Sequence, residues 1–99
     1  MKTILEGLNY LDISKIEHLN AEVIYLQNTL EILRATGEIS NDAFLDAGII
    51  QGGLSLISNL LTQGVTSEEA GLQLKRLKEK VSSLMNNYPD LDVLIESKR

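Results

Sequence analysis

Histidine and cysteine, the side chains that most often serve as nucleophiles, bases and metal ligands near neutral pH, are almost absent from this chain. It has no cysteine and a single histidine, His18. The nearest acid at helical spacing is Glu22, which could add a second metal ligand, whereas stable sites need three or four. No activated serine, cysteine or lysine stands beside a base. The sequence therefore predicts no enzyme, no cofactor and no metal site.

The densest group of charges in the chain is basic and consists of Lys75, Arg76, Lys78 and Lys80. On a helical wheel Lys75 and Lys78 fall on one side of the apolar seam. Arg76 and Lys80 fall toward the other side, so the four do not converge, and ion pairs with a neighbouring helix explain them more simply. Two such edges brought together at a subunit interface would instead form an anion-binding pocket for a small phosphate-bearing ligand. This is the alternative function that the sequence leaves open.

Acidic residues outnumber basic ones, 14 to 9, which gives a net charge of −5. This charge repels phosphate backbones and anionic lipids, so we expect neither nucleic acid nor a membrane surface as the partner. The absence of cysteine removes any disulfide framework and is compatible with an intracellular protein. We therefore expect a soluble, cytoplasmic protein.

Apolar residues recur at alternating steps of three and four in three long stretches, the pattern of amphipathic helices in coiled-coil-like packing. The stretches predict helices over about 13–36, 41–63 and 66–88. Their apolar seams are, in order, Ile16, Leu19, Val23, Leu26, Leu30 and Leu33; Ala43, Ala47, Ile50, Leu54, Ile57 and Leu61; and Ala70, Leu74, Leu77, Val81, Leu84 and Tyr88.

Capping signals bound each of these helices. S-x-x-E at Ser14 and T-x-x-E at Thr66 form capping boxes, with Asp12 as an alternative cap for the first helix, and Ser40 or Asn41 caps the central helix. Gly37 and Gly64 are expected to end the first two helices and Pro89 the third, because each follows the last apolar residues of its helix.

Short apolar segments are expected to form a further helix at each end of the chain. The first carries Ile4, Leu5, Leu8 and Leu11, and the last, capped by Asp90, carries Leu91, Leu94 and Ile95. Short loops make consecutive helices antiparallel neighbours. The prediction is a small all-α antiparallel helical bundle, a single domain over residues 1–99, that self-associates.

The central helix is apolar around more than half of its circumference. Its second stripe consists of Leu45, Ile49, Gly53, Leu56 and Leu60, and a narrow polar arc is left for water, namely Gln51, Ser55, Ser58, Asn59 and Thr62. This pattern predicts a helix with neighbours on two sides. A transmembrane helix is the alternative, but Asp46 and the polar arc would then have to be placed in hydrocarbon.

Glycines at the middle of this helix, Gly48, Gly52 and Gly53, each cost up to about 1 kcal/mol of helix propensity relative to alanine. Close approach of another backbone, from this chain or from a second copy, is the usual reason for such residues; a local break in the helix is the alternative. Asp46, which lies between the two apolar stripes, is expected to be solvated.

The opposite side of the first long helix carries a mixed stripe of His18, Ala21, Tyr25, Asn28 and Ile32. Either a terminal helix covers it, or it binds a partner, because aromatic and aliphatic residues within a polar rim are typical of interfaces. We predict a partner or dimer interface formed by His18, Tyr25, Ile32, Gly48, Gly52 and Gly53. The predicted function is a protein-binding regulator or adaptor (an inhibitor, chaperone-like or bacterial or phage accessory protein) that acts through apolar helix faces as a homo-oligomer.

Overall fold

The computed structural model describes residues 13–99. A 3-10 turn, Ile13–Lys15, leads into α1 (Ile16–Ala35), followed by α2 (Asn41–Thr62), α3 (Ser67–Asn87) and the short α4 (Leu91–Ser97). Over these residues there is no strand, and the predicted all-α helical fold is confirmed. The helix predicted for residues 4–11 lies outside the described part of the chain.

Both long neighbours of α2 pack against it. α1 and α3 each approach α2 closely and approach one another much less, while α4 lies across α1. One aliphatic core joins all four helices. α2 therefore occupies the middle of the arrangement, as its sequence predicts.

The predicted apolar seams supply this core. Every seam residue of α2 from Ala43 to Leu61 is buried, and every seam residue of α3 from Ala70 to Leu84 is buried as well. In α1 the four seam leucines are buried, whereas Ile16 and Val23 are only partly covered. Each helix thus contributes one face at heptad spacing to the same core.

Two of the predicted helix N-caps are confirmed and two are wrong. Ser40 and Thr66 have extended backbones (ψ 162° and 154°), and their hydroxyls accept hydrogen bonds from the amides of Ala43 and Glu69 at 3.0 and 3.1 Å. Ser14 does not cap α1, because the 3-10 turn carries the helical backbone through Lys15, where ψ is −5°. Asp90 likewise has a helical backbone (ψ −9°) and makes no side-chain cap.

Schellman motifs end α1 and α2 at the predicted glycines. Gly37 and Gly64 have φ of +76° and +89°, a conformation that glycine adopts without a steric penalty. The amide of Glu38 donates to the Leu33 carbonyl at 2.9 Å, and that of Val65 donates to the Leu60 carbonyl at 3.0 Å. These turns fold α1 and α3 back alongside α2.

Candidate interaction surfaces

The side of α2 that points away from the core is apolar and open. We call Leu45, Ile49, Gly52 and Leu56 the outer face of α2. Its three aliphatic side chains are 58%, 57% and 52% exposed. Large aliphatic residues exposed in a row along one helix are typical of an interaction surface.

Among residues 13–99 no neighbouring helix covers this second apolar stripe, a point that the sequence left open between cover by the chain itself and cover by another subunit. Around a helical wheel the residues of the outer face lie opposite Ala47, Leu54 and Leu61, which are buried. α1 and α3 pack on the flanks of that buried side, so neither reaches the opposite one. Of the predicted stripe only Leu60 and Gly53 are partly covered.

The polar arc that was expected to face water instead faces α1 in part. Ser58 is buried, and its hydroxyl donates to the Asn20 side-chain oxygen at 2.6 Å. Gln51 and Ser55 are partly buried as well. The prediction that this arc faces water is therefore correct for Asn59 and Thr62, which are exposed, and wrong for Ser58, which is buried.

The three central glycines have different surroundings. A Cβ added at Gly53 would lie 2.5 Å from Cδ1 of Leu77, so this glycine allows α3 to pack closely against α2. A Cβ at Gly48 or Gly52 would meet nothing within 4 Å. Close approach of another part of the described chain thus explains Gly53 but not Gly48 or Gly52. The alternative, a local break in the helix, is wrong, because α2 is continuous through all three glycines.

A groove between α2 and α3 runs along the outer face. Its larger part, about 480 Å³, is lined by Gly53, Leu56, Ile57, Gln73, Arg76, Leu77, Glu79, Lys80 and Ser83. A second part, about 410 Å³, continues past Lys80 and Ser83 to Ile49 and Asp46. Arg76 and Lys80 therefore form a cationic border along the aliphatic residues of α2.

The basic cluster divides as its helical spacing predicts. Arg76 and Lys80 line the groove, whereas Lys75 and Lys78 do not. Within residues 13–99 neither Arg76 nor Lys80 forms an ion pair, so both cations are available to a partner or ligand. Glu79 and Asp46 line the same groove, so the two cations are balanced by two acids along its length.

The predicted stripe of α1 is covered in part by α4. The Tyr25 hydroxyl donates to the Ile95 carbonyl at 2.6 Å, and the guanidinium of Arg99 lies 4.1 Å from the centre of the Tyr25 ring. His18 and Ile32 remain exposed. Tyr25 thus docks a helix of its own chain, and the stripe that is left is discontinuous.

Arg99 links α4 to a buried acid of α1. It donates two hydrogen bonds to the Glu22 carboxylate, at 2.8 and 3.0 Å, and two to the Glu96 carboxylate, at 2.8 and 3.4 Å. Glu22 is only 6% exposed, so this bidentate pairing compensates for its burial. This cluster was not predicted from the sequence, although Glu22 shares the apolar face of Leu19 and Leu26, a position that indicates a buried partner for its charge.

Two further titratable groups, Tyr88 and Glu96, have shifted pKa values. The Asp46 carboxylate is exposed, as predicted, and accepts a hydrogen bond from the Tyr88 hydroxyl at 2.8 Å, which raises the pKa of Tyr88. The hydrogen bonds from Arg99 lower the pKa of Glu96 to about 2.

The described residues include no cluster of potential metal ligands. No group of three or more His, Asp or Glu side chains lies close enough together there to hold an ion. His18 is exposed on α1, one turn before Glu22, whose carboxylate is taken by Arg99.

α2 is long and apolar enough to cross a membrane by length and composition, with a mean hydropathy of 1.3. A core helix passes the same test, and α2 has one side in the core. Comparison of the chain with models of protein families, with curated proteins and with solved structures gives no match.

Replacing Gly53 by alanine should destabilise the protein relative to the same change at Gly71, a helical glycine of α3 with open space around it. Gly71→Ala should raise the free energy of unfolding by about 0.5–1 kcal/mol through helix propensity. In Gly53→Ala the displacement of Leu77 should cancel this gain and lower the free energy of unfolding by about 1 kcal/mol below that of the native protein. Urea unfolding followed by circular dichroism measures both, and equal effects would show that Gly53 is not a close-packing residue.

The ion pair between Glu96 and Arg99 should make stability depend on pH. Since the folded-state pKa of Glu96, about 2, lies below its ordinary value of 4.5, its contribution is complete above pH 4.5 and is lost as the pH falls toward 2. The difference in unfolding free energy between the native protein and Glu96→Gln should shrink over that interval. A difference that stays constant from pH 6 to pH 2.5 would contradict the assignment.

Proposed function

We propose that this chain is a small, non-catalytic protein-binding regulator or adaptor that acts through apolar helix faces as a homo-oligomer. The outer face of α2 is the observation that carries the proposal. Leu45, Ile49 and Leu56 expose more than half of their surface in one row. Burying such residues against another helix contributes about 25 cal/mol per Å² of apolar area.

The energetics of α2 support an external partner. Gly48 and Gly52 lower the helix propensity of this segment, and no contact within the described chain requires either of them. Glycine on an exposed helix face allows a second backbone to come close. Aliphatic side chains beside small residues thus form a shallow surface into which a partner helix fits.

Ile49→Glu tests the proposal, with Val93→Glu as the matched control. Both residues are exposed, at 57% and 70%, but Val93 lies on α4. Ile49→Glu should abolish association, either with a second copy or with a protein from an extract of the source cells, while the helical circular dichroism is unchanged. Val93→Glu should retain the association.

Light scattering of each purified variant measures association with a second copy, and co-purification from the extract measures association with another protein. If no assembly of either kind is lost on Ile49→Glu, the outer face is not a binding surface and the proposal is wrong. Loss of helical signal in Ile49→Glu would likewise contradict it, because an exposed residue should tolerate the change.

A second candidate function, binding of a small anionic ligand, is favoured by the groove beside Arg76 and Lys80. The two cations lie one turn apart, border an opening of about 480 Å³ and have no ion-pair partner among the described residues. Such a border can pair with a phosphate group while Leu56 and Leu77 contact an apolar portion of the same ligand.

Thermal unfolding with inorganic phosphate or nucleotides tests this second function, since a ligand bound only by the folded state raises the Tm. Arg76→Gln with Lys80→Gln should remove the rise. Lys75→Gln with Lys78→Gln should leave it unchanged, because those two lysines lie outside the groove. No rise in Tm, or equal losses in the two double variants, would contradict a site in the groove.

A further inference from the structure

The surface of α1 that holds α4 is polar. Glu22, Tyr25 and Thr29 lie on one side of α1 at steps of three and four, and Glu22 and Thr29 are buried there. The seam that α1 contributes to the core consists instead of four buried leucines. Contact surfaces that open and close are more polar than permanent ones. The composition of this surface is therefore that of a reversible contact.

α4 cannot hold its helical conformation by itself. It has seven residues, and Asp90 makes no side-chain cap at its start. Isolated helices shorter than about 12 residues are marginal in water. A cleft of about 250 Å³, lined by Leu91, Leu94 and Ile39 among others, lies between the start of α4 and the turn after α1. The first turn of α4 is thus incompletely packed, and α4 is helical only while it is docked.

The docking contacts of α4 recur every four residues. Leu91 and Ile95 are 2% and 0% exposed. Arg99 follows at the same step, and the backbone stays helical up to the residue before it. Its guanidinium donates both hydrogen bonds to Glu22 and lies over the ring of Tyr25. The docked face therefore has the pattern aliphatic, aliphatic, arginine.

Glu22 makes the arginine a requirement of this pattern. Its carboxylate is 6% exposed, and Arg99 is its only ion-pair partner among residues 13–99. Removal of the guanidinium would leave a buried carboxylate unpaired, which is far more costly than the loss of an exposed pair. Lysine offers a single point charge in place of the planar, bidentate donor. A helix that replaces α4 on α1 must therefore carry an arginine at this position.

We propose that α4 is the displaceable occupant of a helix-binding site on α1, and that this site accepts a partner helix with two aliphatic residues and an arginine at steps of four. The segment seated on the site supplies the template for that partner. Because α4 is tethered, it competes at high effective concentration and keeps the site closed to weaker ligands. The site is separate from the outer face of α2, so the inference goes beyond the proposed function.

Native-state hydrogen exchange measured by NMR tests whether α4 opens independently of the long helices. The amide of Leu94 donates to the Asp90 carbonyl at 3.0 Å, and that of Leu54 lies in the middle of α2. The Leu94 amide should exchange at least about 100-fold faster, with a weaker dependence on urea, because its opening exposes little surface.

Arg99→Gln, with Lys98→Gln as the matched control, tests which contact holds α4 closed. Arg99→Gln should accelerate exchange at Leu94 at least about tenfold, because Glu22 loses its partner. Lys98 forms only a partly exposed ion pair with Glu38, at 3.4 Å. Lys98→Gln should therefore change the exchange rate about threefold at most.

A fluorescein-labelled peptide with the sequence of residues 90–99 tests the recognition of arginine by anisotropy. The Arg99→Gln protein should bind it at least about tenfold more tightly than the native protein does, because its site is open for a larger fraction of the time. A peptide with Arg99→Gln should bind that protein at least about tenfold more weakly. With Glu22→Gln added to the protein, the two peptides should bind within about threefold of each other.

Equal exchange rates at Leu94 and Leu54 would show that α4 is released only when the whole protein unfolds, and would overturn the inference. Equal acceleration by Arg99→Gln and Lys98→Gln would also overturn it, as would an Arg99→Gln protein that binds both peptides equally or neither. Loss of the helical circular dichroism in Arg99→Gln would do the same, because α4 would not be a separable element. The association lost in Ile49→Glu is measured independently, so the proposed function is tested separately.

Discussion

The packing of α2 between α1 and α3 is the interaction on which the rest of the structure depends. Its buried seam, Ala43 to Leu61, supplies the middle of the aliphatic core. The absence of a side chain at Gly53 lets Leu77 of α3 lie against the α2 backbone. With its two neighbours placed on the flanks of this buried side, α2 necessarily turns its remaining apolar residues outward.

The flanking elements complete the core without covering that outward side. α4 packs across α1, held by the contact of Tyr25 with Ile95 and by the pairing of Arg99 with the buried Glu22. These polar contacts fix α4 on the far side of α1 from the outer face of α2. Among residues 13–99 the last helix thus covers one apolar surface, while the outer face of α2 stays exposed.

Local signals in the sequence predict the helices well. Heptad spacing identifies the buried seams, and the glycines at 37 and 64 identify the helix ends, because both depend on residues close in sequence. The caps at Ser40 and Thr66 succeed for the same reason. Ser14 and Asp90 fail because the capping hydroxyl or carboxylate is useful only when its own backbone is extended, and the turns before α1 and α4 are already helical.

The site is less accessible to sequence reasoning, because it depends on which faces the neighbouring helices cover. A helical wheel correctly separates Arg76 and Lys80 from Lys75 and Lys78, because the side of α3 on which each cation lies depends on helical geometry alone. It cannot show that Ser58 is buried by a hydrogen bond to Asn20 while Ile49 is exposed. The polarity of a helix residue indicates whether its side chain favours burial or solvent. The packing of the three helices decides which side chains are actually buried.

Solvent access to the methyl groups of two adjacent isoleucines tests the central claim most directly. Ile49 is 57% exposed in a single chain and Ile50 is 2% exposed, so the pair provides its own internal reference. A soluble nitroxide should broaden neither residue's methyl NMR signals at high protein concentration, where the outer face is covered, and should broaden only those of Ile49 in the Leu56→Glu variant. Broadening of the Ile49 signals in the native protein at every concentration, and to the extent seen in the variant, would show that the outer face of α2 stays open and would contradict the account.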